Sequence, residues 1–379
     1  MKRYYKLLTI SLLFVSCTGG KHGELPEFPV DRNQDYSLPL SEIIEDITVI
    51  EPELTDESLI GYGYGGTGIC RMIRTENNII VVMGGLGSPN TVLLFKQDGK
   101  FIQSVGSKGQ GPGEYNFITN ATCDEANRHL FILTDRPFKI ICYDLDGKFV
   151  KESLLNTNGV YYDINYNNIE LYLECLSMDG KISKRILYRL NNNLQVMDSI
   201  VCWENYYEQF IDMHRFPDYI VKNGTSMYFL PKEYYPKFFA PSVKVLRDTL
   251  YRIENHRLVP DFKLKFKDDG MDLYGDKVIG LLNLYRSSRY IFANYEYNPD
   301  NREINKEQTA KYSFCYDTKT GKSYNMLDGY TDDIHGIEKR IEIRPLTSDS
   351  EYFYYWYTHM NPDDPEEPNP TLYIGKLKK

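Results

Sequence analysis

Residues 92–102, VLLFKQDGKFI, and residues 140–150, IICYDLDGKFV, carry one design twice, 48 positions apart. Each is an apolar run, an Asp-Gly pair, and a second run that opens Lys-Phe-aliphatic. Asp-Gly between two such runs is the strongest short-range signal for a β-hairpin, because both residues tolerate the positive φ that a tight turn requires. Weaker copies follow at 186–190 (ILYRL), 249–253 (TLYRI), 313–317 (SFCYD) and 371–374 (TLYI). Superposed on one aromatic, the copies fall at Phe95, Tyr143, Tyr188, Tyr251, Tyr316 and Tyr373, with gaps of 48, 45, 63, 65 and 57 residues. Such spacing is long for a hairpin and suits a four-stranded blade with loops of unequal length. The expected fold is all-β, a six-bladed β-propeller.

Two further strand-like runs precede each of the first two hairpins, at 69–75 and 78–83 and again at 120–124 and 129–134. The sixth copy reaches the end of the sequence at Lys379 without an outer strand. A β-patterned run at 43–50, IIEDITVI, belongs to no other blade, and pairing it beside 372–377 closes the ring and removes exposed edges. Residues 41–379 are therefore expected to form one domain despite their length. The 33 Tyr and 18 Phe point the same way, since Tyr favours half-buried sheet surfaces.

Between the first two hairpins lies GSKGQGPGEY, residues 106–115. A phosphate loop needs a Lys at a fixed place and a helix directly behind it, and a dinucleotide loop needs a strand before and a helix after. Pro112 follows Gly111 and no helical period follows Gly113. The stretch reads as the junction between two blades, with glycines permitting positive φ, Pro112 stiffening the bend and Tyr115 plugging the seam.

On these residues, 106–115 followed by 130–136 (LFILTDR) and 140–149, the chain resembles the bacterial six-bladed propellers related to the NHL repeat, common as lipoproteins of the Bacteroidetes group. The resemblance is specific over about 90–154 and architectural beyond, since blades three to six lack the glycine-rich junction. It implies the fold and a surface-binding role.

Basic Lys2, Arg3 and Lys6, the apolar run 7–15 and Ser16 before Cys17 describe a secretory signal too short to span a bilayer. LFVSC, residues 13–17, resembles a lipobox, so residues 1–16 are expected to be removed and Cys17 acylated. Residues 17–40 then form a tether, and the protein sits lipid-anchored in the cell envelope, at the outer membrane. A formal charge of −9 without a basic patch argues against nucleic acid. The seven cysteines show neither a CxxC pair nor zinc spacing, and Cys142, Cys175 and Cys315 sit in apolar runs as small buried hydrophobes.

Propellers bind ligands at the end where the loops between second and third strands and those linking blades converge. In the expected register this places there Arg136, Trp203, Tyr206, Tyr207, Tyr234, Tyr235, Phe238, Tyr295 and His359, and His214-Arg215 begins an inner strand toward the channel. Exposed aromatics stack on sugars or cover peptides, yet Tyr and Phe also fill the seams between blades. The histidines form no HxH or HExxH pattern, the acidic pairs 332–333 and 363–364 are read without a metal, and no GxSxG occurs around a serine. No cofactor and no catalytic residue are assigned. The expectation is a monomeric, non-catalytic binding or scaffold propeller for a glycan or an envelope protein. The alternative is a propeller-fold glycan lyase or hydrolase, which requires a close acid and base at the channel mouth.

Overall fold

The second strand of a blade is sandwiched between its neighbours on both faces, which favours an apolar run over simple alternation. Asn78–Met83 (NIIVVM) and His129–Asp135 (HLFILTD) meet that demand, each buried along nearly its whole length. The outer strands, Phe101–Val105 and Phe149–Leu154, have solvent beside them and are largely exposed or half-buried.

The computed structural model describes residues 25–33, 36–63, 66–85, 87–156, 158–180, 182–206, 220–231, 248–267, 279–297, 309–359 and 368–379. Its strands form antiparallel four-stranded meanders. Blade one runs Ile69–Arg74, Asn78–Met83, Thr91–Lys96, Phe101–Val105, and blade two Phe117–Asp124, His129–Asp135, Lys139–Asp144, Phe149–Leu154. Blade three runs Gly159–Tyr166, Leu171–Asp179, Ile182–Leu190, Val196–Tyr206, and blade four Ile220–Asn223, Ser226–Phe229, Thr249–Glu254, Arg257–Phe266. Blade five runs Ile279–Arg286, Tyr290–Tyr297, Ala310–Asp317, Lys322–Leu327. Blade six takes Arg344–Pro345, Tyr352–Tyr357 and Thr371–Leu377 from the C-terminal part and its outer strand, Ile44–Ile50, from near the N-terminus. Each aromatic that aligned the repeats lies on the third strand of its blade.

Closure follows the expected pairing, in an antiparallel register where Ile44 opposes Leu377, Thr48 opposes Ile374 and Ile50 opposes Leu372. Residues 40–43 form a helical turn ahead of that strand. Apolar clusters mark every seam of the ring. Ile80, Val82 and Ile118 join blades one and two; Ile141 and Tyr143 extend that cluster. Leu133 and Leu173 share the next, Leu187 and Phe229 the third, Leu264 and Ile291 the fourth. Tyr290 and Tyr373 belong to the cluster between blades five and six, and Ile374 shares a cluster with Val81 that joins blade six to blade one. The tyrosine excess is thus used heavily in the seams.

The second half of the expected tether is built into the propeller. Glu27–Val30 adds a fifth strand, parallel to the outer strand of blade four, with Glu27 opposite Lys263 and Val30 opposite Phe266. Phe28 sets its ring edge-on to Phe262 at 5.2 Å, and Leu38 and Leu40 are buried. Apolar residues spaced singly among polar ones gave no strand period there, but each has a pocket on the ring to fill.

Candidate binding face

In a four-stranded meander the loop after the second strand and the connection to the next blade leave from one end, here the loop end. The turns after the first and third strands lie at the opposite, turn end. The Asp-Gly pairs at 98–99 and 146–147 occupy the turn end, with Gly99 and Gly147 at φ +88° and +81°. The glycine-rich junction and Arg136 therefore share the loop end.

The junction's donors are answered from within the chain. Ser107–Lys108 pairs with Glu114–Tyr115. The Gly111 amide donates to Glu114 Oε2 at 2.8 Å and the Gly113 amide to Glu152 Oε2 at 3.0 Å. Glu152 also holds Lys139 Nζ at 3.0 Å. Carboxylates of this protein thus stand where a phosphate would need to be. Tyr115 is buried and its hydroxyl donates to the Val105 carbonyl, while the Tyr143 hydroxyl donates to the Gly113 carbonyl. Gly106, at φ +76°, lies so close to both rings that a Cβ there would sit 2.4 Å from Tyr143 Oη. Gly111 alone of the four glycines lacks a positive φ.

Along the axis the inner strands carry polar residues that sequence reading missed. Blades one, two, three and five each have a β-bulge near the loop end of the inner strand, and the residue after it is Arg71, Asn120, Asp163 or Asn283. A bulge re-aims the next side chain. Arg71 Nη2 donates to Asp163 Oδ1 at 2.7 Å and its Nη1 donates to the carbonyls of Ala121 and Ile164, each at 2.9 Å. Asn120 Nδ2 donates to Asp163 Oδ1 at 2.9 Å, and the Ile164 and Ile220 amides donate to the same carboxylate. All three side chains are fully buried. Burial raises the Asp163 pKa, and the Arg71 charge and the hydrogen bonds oppose it. The network ties the inner strands of blades one to four to one another. Its one legible signal was Arg71 inside the otherwise apolar run ICRMI.

Arg136 keeps a left-handed backbone, φ +61°, before a cis bond to Pro137. Its side chain is 66% exposed, 3.9 Å from Asp135, with its guanidinium 5.2 Å from the centre of the Phe117 ring. His359, also exposed, has Nε2 3.1 Å from the Tyr373 hydroxyl and stands edge-on to Tyr357 at 4.8 Å. Tyr373 stacks on Tyr355 at 4.6 Å, and the His335 ring lies 4.7 Å from Tyr373. Buried Asp332 organises this group: Oδ1 accepts the Ile334 and His335 amides, and Oδ2 lies 3.0 Å from the Tyr355 hydroxyl and 3.3 Å from His335 Nδ1. The sequence reading weighed this aspartate only as a metal ligand.

Tyr295 is fully buried and donates to Asn325 Oδ1 at 2.6 Å; its ring stacks on Tyr312, a packing position. Trp203 is 7% exposed in the outer strand of blade three, with the Arg185 guanidinium 5.7 Å from its ring and Arg185 paired to buried Glu174 at 3.2 Å. Tyr206 ends that strand, its side chain outside the described residues. Cys17, Tyr207, His214, Arg215, Tyr234, Tyr235 and Phe238 lie outside the described residues, as does the acidic pair at 363–364. Among the described residues the inner strand of blade four is Ile220–Asn223. Burial pushes the Cys142 thiol up to about 11 and the Cys175 thiol up to about 12, which leaves neither a thiolate.

The family model described as "Domain of unknown function (DUF4934)" matches residues 25–374. The chain belongs to the DUF4934 family. That match begins beside the added strand of blade four and ends in the third strand of blade six, so it reaches all six blades. Among solved structures, this DUF4934 chain is similar to a Bacteroides fragilis protein provisionally described as exported, at 14% identity and a TM-score of 0.61, over 93% of this chain and 100% of that one. A DUF4221 family member from Bacteroides vulgatus aligns over 88% of this chain and 97% of its own, at 7% identity and a TM-score of 0.43. The β-propeller domain of Cps50 (Swd1) from Myceliophthora thermophila aligns at 9% identity and 0.41, over 88% and 100%. No curated protein matches the chain.

Proposed function

We propose that this protein is an exported, lipid-anchored propeller of the cell envelope, related to the NHL-repeat propellers, that binds a glycan or an envelope protein at its loop end without transforming it. The observation that carries the reading is the axial network of Arg71, Asn120 and Asp163, whose hydrogen bonds are made within the ring. With those inner-strand groups bonded to one another, recognition falls to the loop end, where Arg136 over Phe117 and His359 against Tyr357 offer exposed cationic and aromatic surface. Flat apolar faces beside hydrogen-bonding tips suit sugar rings and peptide backbones alike. Cys17 supplies the acylation site in this reading, and a fold relative provisionally described as exported is in keeping with it.

A second reading, a glycan-active lyase or hydrolase, draws on His335. If its Nδ1 carries the proton shared with Asp332, Nε2 is left as a base on a ring that is 20% exposed.

Glycan-array binding by the purified protein, followed by analysis of the recovered sugars, separates the two. The binding reading expects a retained ligand recovered unchanged, with affinity lowered at least roughly tenfold in Arg136→Ala or His359→Ala, as for loss of an interface anchor. Unsaturated or shortened sugars that disappear in His335→Ala would overturn it in favour of the enzyme.

A further inference from the structure

Blade four alone, among the described residues, has a sheet of five strands, the fifth being Glu27–Val30. What that strand covers is a groove with a simple code. Along the outer strand of blade four Phe262, Leu264 and Phe266 are buried, while Lys263, Lys265 and Lys267 between and after them are half-buried or exposed. The added strand answers in kind. Phe28 lies 5.2 Å from the Phe262 ring and 4.7 Å from that of Tyr316, and Val30 joins the cluster of Leu264 and Phe266. Glu27 spans Lys263 and Lys265 at 2.7 and 2.9 Å, and Asp31 takes Lys267 at 3.0 Å.

Among the described residues the charges balance only while the strand is seated. Half-buried Asp248 stands near Lys263 on the groove side, so three ammonium groups there face one carboxylate until Glu27 and Asp31 arrive. Bonds from Lys263 and Lys265 draw the Glu27 carboxyl down to about 2, and the bond from Lys267 lowers that of Asp31.

A short strand with only Phe28 and Val30 turned inward opens at low cost, because the free energy of local unfolding follows buried apolar contact. When it opens it leaves a bare edge on the ten-residue strand Arg257–Phe266, and a bare edge is a template for pairing. The strand that fits this edge by construction is the same segment of a second copy, and exchange of identical elements is a low-cost route to a dimer. Val30 and Tyr36 are six positions apart, and the Tyr36 amide donates to the Asn325 carbonyl, which fixes the chain to blade five. Fully extended, those positions reach about 20–22 Å, several times the spacing of paired strands, about 4.8 Å.

We infer that the outer edge of blade four is a docking site for residues 27–31 of a second copy, so that two chains exchange these segments and join edge to edge. This goes beyond the loop-end reading and does not depend on it, since the edge lies on the outer wall of the ring. The apolar pair gives the contact its grip and the alternating charges give it its register.

The test uses two charge-swapped forms of the full chain, both carrying Cys17→Ser so that no acyl chain contributes. The first carries Glu27→Lys/Asp31→Lys and the second Lys263→Glu/Lys265→Glu/Lys267→Glu. Each alone sets like charges across its own groove, so amide exchange at positions 263 and 267 is expected to speed by at least roughly tenfold, while the outer strand of blade three keeps its rate. Mixed in equal amounts, the cationic strand of the first form meets the anionic edge of the second, and the acidic strand of the second meets the cationic edge of the first. Light scattering is expected to show a dimer of one chain of each form at a concentration where each alone is monomeric, with protection at 263 and 267 restored. In the parent chain, zero-length carbodiimide coupling of Glu27 to Lys263 in a mixture of unlabelled and isotope-labelled chains is expected to yield peptide pairs that join the two kinds of chain. A mixture of the two forms that stays monomeric, a dimer of either form alone, unchanged exchange in both forms, or parent couplings confined within one kind of chain would each overturn the inference. Binding of a synthetic peptide of residues 25–33 to the first form, with no dimer in the mixture, would overturn it in favour of an acidic strand from another protein.

Discussion

Asp163 and Arg71 show how a single buried pair sets the character of the axis. Each charge is fully buried and neither has water to fall back on, so removing one partner strands the other. Asp163→Ala is expected to destabilise the protein by about 3–5 kcal/mol in urea unfolding, through the uncompensated guanidinium. Asn120→Ala removes one neutral donor to the same carboxylate and is expected to cost about 1–3 kcal/mol. Equal losses in the two variants would contradict the assignment of the charge pair as the centre of the network. At this scale the sequence was least legible. Arg71 and Asp163 are 92 positions apart, and a bulge, which no local pattern marks, decides that both point inward. Asp332, His335 and Tyr355 are hidden for a different reason: a connection that folds back between two blades brings them together.

At the scale of the strand, legibility was high where one physical demand dominates. Third strands were found by an aromatic beside a turn, and the second strands of blades one and two by apolar runs that burial on both faces favours. The exception is Glu27–Val30, which has one buried aliphatic, one half-buried ring and charged or proline neighbours, and which binds through edges that blade four supplies. Its Glu27 is held by Lys263 at 2.7 Å and Lys265 at 2.9 Å, and those bonds draw its carboxyl down to about 2. The Lys263 amide donates to the Pro26 carbonyl and the Lys267 amide to the Val30 carbonyl. Phe28→Ala/Val30→Ala should therefore loosen the added strand and speed hydrogen exchange of the Lys263 and Lys267 amides by an order of magnitude or more, while the Leu264 amide, bonded to the Asp248 carbonyl, and the outer strand of blade three keep their rates. Unchanged exchange at Lys263 and Lys267 would mean that the added strand contributes no edge protection.

At the scale of the molecule, a propeller is a ring of similar seams, and its stability depends on the one seam that covalent continuity does not supply. Here that seam lies within blade six, where the outer strand from residues 44–50 pairs with residues 371–377 and is followed by the packing of Ile374 against blade one. This was readable in advance because the sequence held one strand too few at its end and one too many near its start. What the ring binds was not readable to the same depth, since the loops that choose a ligand carry no repeat to align. The most direct test of closure is a disulfide at the junction. Thr48 and Ile374 are Cα partners in the antiparallel ladder, within reach of a disulfide, whereas a residue two positions along lies about 7–8 Å away, at or beyond that reach. Thr48→Cys/Ile374→Cys, mildly oxidised in the native state and mapped by peptide mass spectrometry, is predicted to cross-link, and Thr48→Cys/Leu372→Cys is predicted to stay reduced. Cross-linking of the second pair and not the first would contradict the register, and failure of both pairs to cross-link would contradict the closed six-bladed ring.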